Sequence, residues 1–136
     1  MSISVAQTEF LLAAAQSAAA GIGVPMNIAI LDDGANMKAF LRMDGALLGS
    51  ADIAIGKAKT AALFGMPTEA IGDFCKPGGT SPGLENSNGG LVVFAGGIPV
   101  QARDGRLLGA IGVSGGSVEQ DLFVAKAATN GFPAGT

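Results

Sequence analysis

Residues 96–121 read GGIPVQARDGRLLGAIGVSGGSVEQD, and the punctuation of this stretch decides the fold. Two β-like segments, IPVQAR and RLLGAIGVS, flank Asp104-Gly105, a dipeptide suited to the positive φ angles of a two-residue hairpin turn. Gly96-Gly97 gives the same signal toward LVVFA at residues 91–95. Ser117 and Gln120 then have the spacing of a capping box, so a helix opens there and closes near Asn130 at Gly131 and Pro133. Three antiparallel strands followed by a helix are the expectation for the C-terminal third.

The remainder extends the same pattern. Ser4 and Gln7 cap an Ala/Leu helix that runs to about Ala20, with Gly21 at its end. Met26 to Asp32 is a short apolar strand, and Asp33-Gly34 turns it into NMKAFLRM, which alternates. On that strand Met37, Ala39, Leu41 and Met43 share one face, while Lys38, Phe40 and Arg42 share the other. Ser50 is expected to cap a second helix, ADIAIGKAKTAALF, closed by Gly65, and Thr68 opens a helical turn to about Phe74. Residues 75–90, CKPGGTSPGLENSNGG, form a long loop without periodicity, a feature often tied to function. The expected fold is therefore α+β, in the order α-β-β-α-α-β-β-β-α, with a five-stranded antiparallel sheet flanked by helices. Residues 1–136 read as one domain.

Composition narrows the chemistry. The chain has no histidine, which excludes Ser-His-Asp triads, imidazole metal sites and His-ligated haem. One cysteine, Cys75, permits no intrachain disulfide and fits a reducing compartment. A formal charge of −3 without a basic cluster argues against a nucleic-acid surface. Residues 10–31 lack charge and have membrane-span length, but Gly21, Gly23 and Pro25 break the run. They read as a buried helix entering a buried strand, without the basic region of a signal peptide, so a cytoplasmic protein with no membrane partner is expected. Only 14% of residues are charged and mean hydropathy is +0.46, so part of the surface is expected to be covered by self-association.

Candidate site residues follow from what remains. Ser114, Gly115 and Gly116 precede a helix N-terminus, where backbone N–H groups and the helix dipole attract an anion. A P-loop lysine and the G-x-G-x-x-G spacing are both absent, so the anion expected is a small carboxylate rather than a nucleotide phosphate. Arg42 or Lys57 would clamp it; Lys57 and Lys59 diverge by about 200° on a helix, so only one can face a pocket. Asn86 and Asn88 in the long loop would orient a polar ligand. Glu85 is the first candidate for proton transfer and Asp121 the second. Cys75 beside Phe74 reads as a small packed side chain more readily than as a nucleophile. No metal site is expected, because Asp32 and Asp33 point to opposite faces of a strand.

LDDGANMKAFLRMDGA, KAKTAALFGMPT, the block from Gly96 to Asp121 and the closing AKAATNG together resemble the GlcG/HbpS-like family, also labelled haem-degrading, which includes a C-terminal domain of PduO-type proteins. The resemblance implies a profilin-like five-stranded sheet, assembly from dimers to octamers, and haem as a ligand of some members. Without histidine, a haem ligand would be Met, Cys, Lys or a hydroxyl such as Thr60 or Thr80. The first functional expectation is a cytoplasmic oligomer that binds a small carboxylate metabolite without a cofactor. If it is an enzyme, it works by proton chemistry of the isomerase, hydratase/lyase or hydrolase type. The alternative is a haem- or tetrapyrrole-binding protein.

Overall fold

The computed structural model describes residues 2–133. Its order is α1 (Val5–Gly21), β1 (Asn27–Asp32), β2 (Met37–Arg42), α2 (Gly49–Phe64), α3 (Thr68–Cys75), a 3-10 turn (Leu84–Asn86), β3 (Gly97–Gln101), β4 (Leu107–Ser114) and α4 (Val118–Asn130). Both expected capping boxes form: Ser4 accepts from the Gln7 amide and Ser117 from the Gln120 amide, each glutamine answering to the cap backbone. Residues 10–31 are indeed a helix running into a buried strand.

The four strands form an antiparallel sheet in the order β2-β1-β4-β3. The Asp33-Gly34 and Asp104-Gly105 turns join β1 to β2 and β3 to β4, as their dipeptides predict. In the first turn Asp32 Oδ1 accepts from the Asn36 and Gly34 amides. Those bonds, the Asn36 amide foremost, hold the Asp32 carboxyl below the usual carboxylate range. Pro99 lies on β3, an edge strand, where its missing N–H costs no ladder bond in the sheet interior.

Three expectations need correction. Residues 91–95, LVVFA, are not a strand, so the sheet has four strands rather than five, and Gly97 is the first residue of β3 rather than part of a hairpin turn. The run is apolar because it packs beneath helices: Val92 lies against Gly56 of α2, and the Val93 carbonyl lies over Gly72 of α3. Ser50 does not cap α2; the helix begins at Gly49 with Leu48 at the cap position and no side-chain cap bond. Met37 is 48% exposed, and only Ala39, Leu41 and Met43 from its face of β2 reach the core.

The sheet lies between two helical layers that differ in side-chain size. Toward α1 and α4 it presents Ile28, Ile30, Ile111 and Val113, which pack with Leu11, Ala15, Val124 and Ala128. Toward α2 it presents Ala29, Leu31, Ala110 and Gly112, opposite Ala54, Ala58, Ala61 and Ala62. Small residues on both sides let α2 approach closely, and a Cβ on Gly112 would strike the Ala54 carbonyl. That carbonyl and the Ala58 amide nitrogen, the next obstruction, are both backbone, so Gly112→Ala is expected to cost about 1–3 kcal/mol of stability by overpacking. Denaturant unfolding would measure it, and an unchanged midpoint would show that α2 yields freely.

Candidate functional site

Close approach of α2 to β4 carries Lys57 into the interior, where it has no solvent exposure. Its Nζ donates to the Val113 carbonyl and to Asp121 Oδ2, each at 2.9 Å, and lies 5.0 Å from the centre of the Phe94 ring. The segment after Phe94 makes room for it. Gly96 has φ +130°, and a Cβ there would fall 2.6 Å from both the Nζ and the Val113 carbonyl. The other oxygen of Asp121, in the first turn of α4, accepts from the Gly116 N–H at 2.9 Å. One ion pair thus ties α2, β4, the 115–117 turn and α4 together. Burial pushes the Lys57 ammonium below its ordinary value of 10.5, and the hydrogen bond and charge of Asp121 oppose that shift.

Directly outside Phe94 is a cleft of about 450 Å³. α3 and its exit supply Glu69, Gly72, Asp73, Cys75, Lys76 and Pro77. The 3-10 turn supplies Glu85, residues 93–95 supply Val93, Phe94 and Ala95, and α4 supplies Val118. Thr68 fixes the Phe94 backbone: its hydroxyl donates to the Phe94 carbonyl at 2.7 Å and accepts from the Gly97 amide at 3.0 Å. Oε1 of Glu69 and Oε1 of Glu85 are buried and lack a hydrogen-bond partner among the described residues, a costly condition. The Cys75 thiol sits at the wall, directed weakly to the Ile71 and Gly72 carbonyls at 3.6 and 3.7 Å. Lys76 pairs with Asp73 at 3.4 Å, but both are well exposed, so that pair holds neither firmly.

The residues expected to form a site are only partly brought together. Glu85 lines the cleft, whereas Lys57 and Asp121 lie sealed behind Phe94 and satisfy one another. Ser114 is buried at the end of β4, Gly115 at φ +148° lies against the Pro25 carbonyl, and Gly116 spends its N–H on Asp121. Asn86 and Asn88 are exposed, and the Asn88 carbonyl accepts from Lys59 Nζ at 2.6 Å. Arg42 is exposed on edge strand β2. It pairs with Asn27, which pairs in turn with Ser114, so Arg42 stands two strands, about 10 Å, from that end of β4. The arginine clamp and the glycine turn therefore do not face one pocket within a chain. Glu69, Phe94 and Val118 are cleft residues that the sequence patterns do not single out. The one available signal was a Phe placed just before two glycines. No group of three or more acidic or cysteine side chains is placed to hold a metal among the described residues.

Comparison with known proteins places this geometry in context. Residues 3–130 match the family model described as haem degrading protein HbpS-like. The chain is 38% identical over 131 residues to a 15.0 kDa protein of the dhaT-dhaS intergenic region of Citrobacter freundii, covering 96% of this chain and 92% of that one. It is 39% identical over 128 residues to the corrinoid adenosyltransferase PduO of the same organism, covering 94% of this chain but only 38% of that longer protein. Among solved structures, the PduOC:haem complex superimposes with a TM-score of 0.89 at 37% identity, covering 96% of this chain and 94% of that one.

The ion pair yields a test of its own. Removing one member strands a buried charge, so Asp121→Asn and Lys57→Met should each cost about 3–5 kcal/mol. The double substitution strands none and should cost less than either single change. Because Lys57 titrates below 10.5 in the folded state, the Asp121→Asn deficit should be largest near neutral pH. It should shrink as pH rises through the folded pKa and the buried amine becomes neutral. Urea unfolding at pH 7 and pH 10 measures both effects, and additive costs or a deficit that grows with pH would contradict them.

Proposed function

The chain belongs to the HbpS-like family, and from that premise we propose that it binds haem or a closely related tetrapyrrole in the cleft beside α3. The observation that carries this reading is the likeness, over nearly the whole of both chains, to a protein solved with haem. The cleft supports it with apolar walls from Pro77, Val93, Phe94, Ala95 and Val118.

The donor set fits. Thiolate is an established class of haem ligand, and Cys75, buried on the cleft wall, is the cysteine that supplies it. Of the other candidate ligands among the described residues, Lys76 also lines the cleft, whereas the methionines and the threonine hydroxyls do not. Met26 is buried in the core and Met43 packs against it, while Met37 is exposed on β2. Thr60 is fully buried and bonded to the Gly56 carbonyl, Thr80 is exposed outside the cleft lining, and Lys57 is saturated. Lys76, exposed on the cleft lining and only loosely paired, is the cation available to a propionate. When bound, haem would supply a redox-active iron; the chain itself supplies the soft ligand, the apolar walls and the charge at the opening.

A second reading is a small carboxylate metabolite transformed by proton transfer. Its support is the unpartnered Glu85 carboxyl oxygen in the cleft, a suitable base. The cation the chain brings there is Lys76, rather than the expected Arg42 or Lys57. Self-association itself is supported by exposed apolar side chains, among them Leu47, Leu48 and Phe123 at 63%, 73% and 54%.

Titration of the purified protein with haemin tests the first reading. A saturable Soret shift near one haem per chain is expected, weakened at least about tenfold by Cys75→Ser, the loss of one metal–ligand bond. Absence of a saturable shift, together with turnover of an organic acid lost on Glu85→Gln, would establish the second reading instead. Light scattering on the same samples reads the assembly, and a monomer mass would refute self-association.

A further inference from the structure

The sealed Lys57 ammonium shapes the cleft from behind. We propose that Lys57 is a positioning residue for the ligand site, holding the Phe94 wall through the ring face and the Val118 wall through Asp121; the ligand part of this claim rests on the function proposed above. Phe94 is 44% exposed and lines the cleft on one side, while its ring lies 5.0 Å from the buried Nζ on the other. A cation over an aromatic face is attracted by the ring quadrupole, the more so when shielded from water. The Phe94 backbone is already fixed by Thr68, so the ammonium acts on the ring orientation. Val118 is reached through a chain of bonds. Lys57 holds Asp121, Asp121 holds the Gly116 N–H, and the turn so fixed leads through Ser117 into Val118, the first residue of α4.

Gly96 is the third element of the arrangement. Its open conformation lets the chain fold back over the Nζ immediately after the wall residues Phe94 and Ala95, and any Cβ there would displace the ammonium. The pair therefore joins two walls of one cleft that belong to segments far apart in sequence. A buried pair serving only the fold would show no dependence on the chemistry of residue 94.

Phe94 is 44% exposed, so its replacement is expected to leave folding intact. Cys75 alkylation by iodoacetamide in the native protein reports the cleft without any ligand, and haemin titration reports the ligand site. Phe94→Trp, which keeps the π face, should leave the alkylation rate nearer the parent's than Phe94→Leu does. Phe94→Leu, which keeps bulk but removes the π face, should change the alkylation rate and the haemin affinity by about fivefold. In the Lys57→Met/Asp121→Asn background the ammonium is gone, the new amide oxygen still faces Gly116, and the Leu and Phe side chains should become equivalent. Equal behaviour of Leu and Phe in the parent, or an unchanged difference in the double background, overturns the proposal. If the parent binds no haemin, the function proposed above fails, and the alkylation rates alone decide whether Lys57 positions the wall.

Discussion

A lysine with no solvent exposure is the constraint on which the surrounding structure depends. Desolvating an ammonium and a carboxylate costs several kcal/mol, and their attraction repays this only when the remaining donors and acceptors are matched. Here they are: Lys57 reaches the Val113 carbonyl as well as Asp121, and Asp121 reaches the Gly116 amide as well as Lys57. Such a pair adds little net stability but penalises every arrangement that separates its members. The glycines around it follow from this. Gly96 folds over the ammonium, Gly97 fits against the Lys57 carbonyl, and Gly112 lets α2 come near enough to β4 for the side chain to reach.

The same pair explains what the glycine turn before α4 does. Two glycines, a capped helix N-terminus and free N–H groups form a place for an anion. The anion is the protein's own Asp121, one turn into the helix, which takes the Gly116 N–H and neutralises Lys57. The turn has the electrostatics expected of a wall for an external carboxylate, and its Gly116 N–H is engaged by Asp121. Of the three buried side-chain oxygens that lack partners among the described residues, those of Glu69 and Glu85 belong to residues lining the cleft outside Phe94, and the third, Asn27 Oδ1, is on β1 opposite Ser114.

Much of the fold was legible because it is written in local signals. Ser4–Gln7 and Ser117–Gln120 form their capping boxes, Asp33-Gly34 and Asp104-Gly105 form hairpins, and Gly65 ends α2 in the left-handed conformation at φ +64°. LVVFA misleads because an apolar run under helices and an apolar strand share the same composition; only tertiary contact with Gly56 and Gly72 separates them. The site was less legible. Lys57 and Asp121 are 64 residues apart, and no periodicity marks their meeting. The cleft walls come from a helix end, a 3-10 turn and an irregular segment, whose spacing carries no pattern. Glu85 stands out because it is the acidic residue of that loop, whereas Cys75 reads from the sequence as a packed side chain and only the fold puts it on the cleft wall.

In the function proposed, a tetrapyrrole lies against the outer face of the same ring that covers the buried ammonium. The most direct measurement is two-dimensional NMR of the isotopically labelled protein with and without haemin, following paramagnetic broadening residue by residue. Signals from Cys75, Phe94, Ala95 and Val118 should broaden first, while those from Arg42 on β2 and from Ala128 in the core remain sharp. Broadening centred on Arg42 and β2, with the cleft signals intact, would contradict the account.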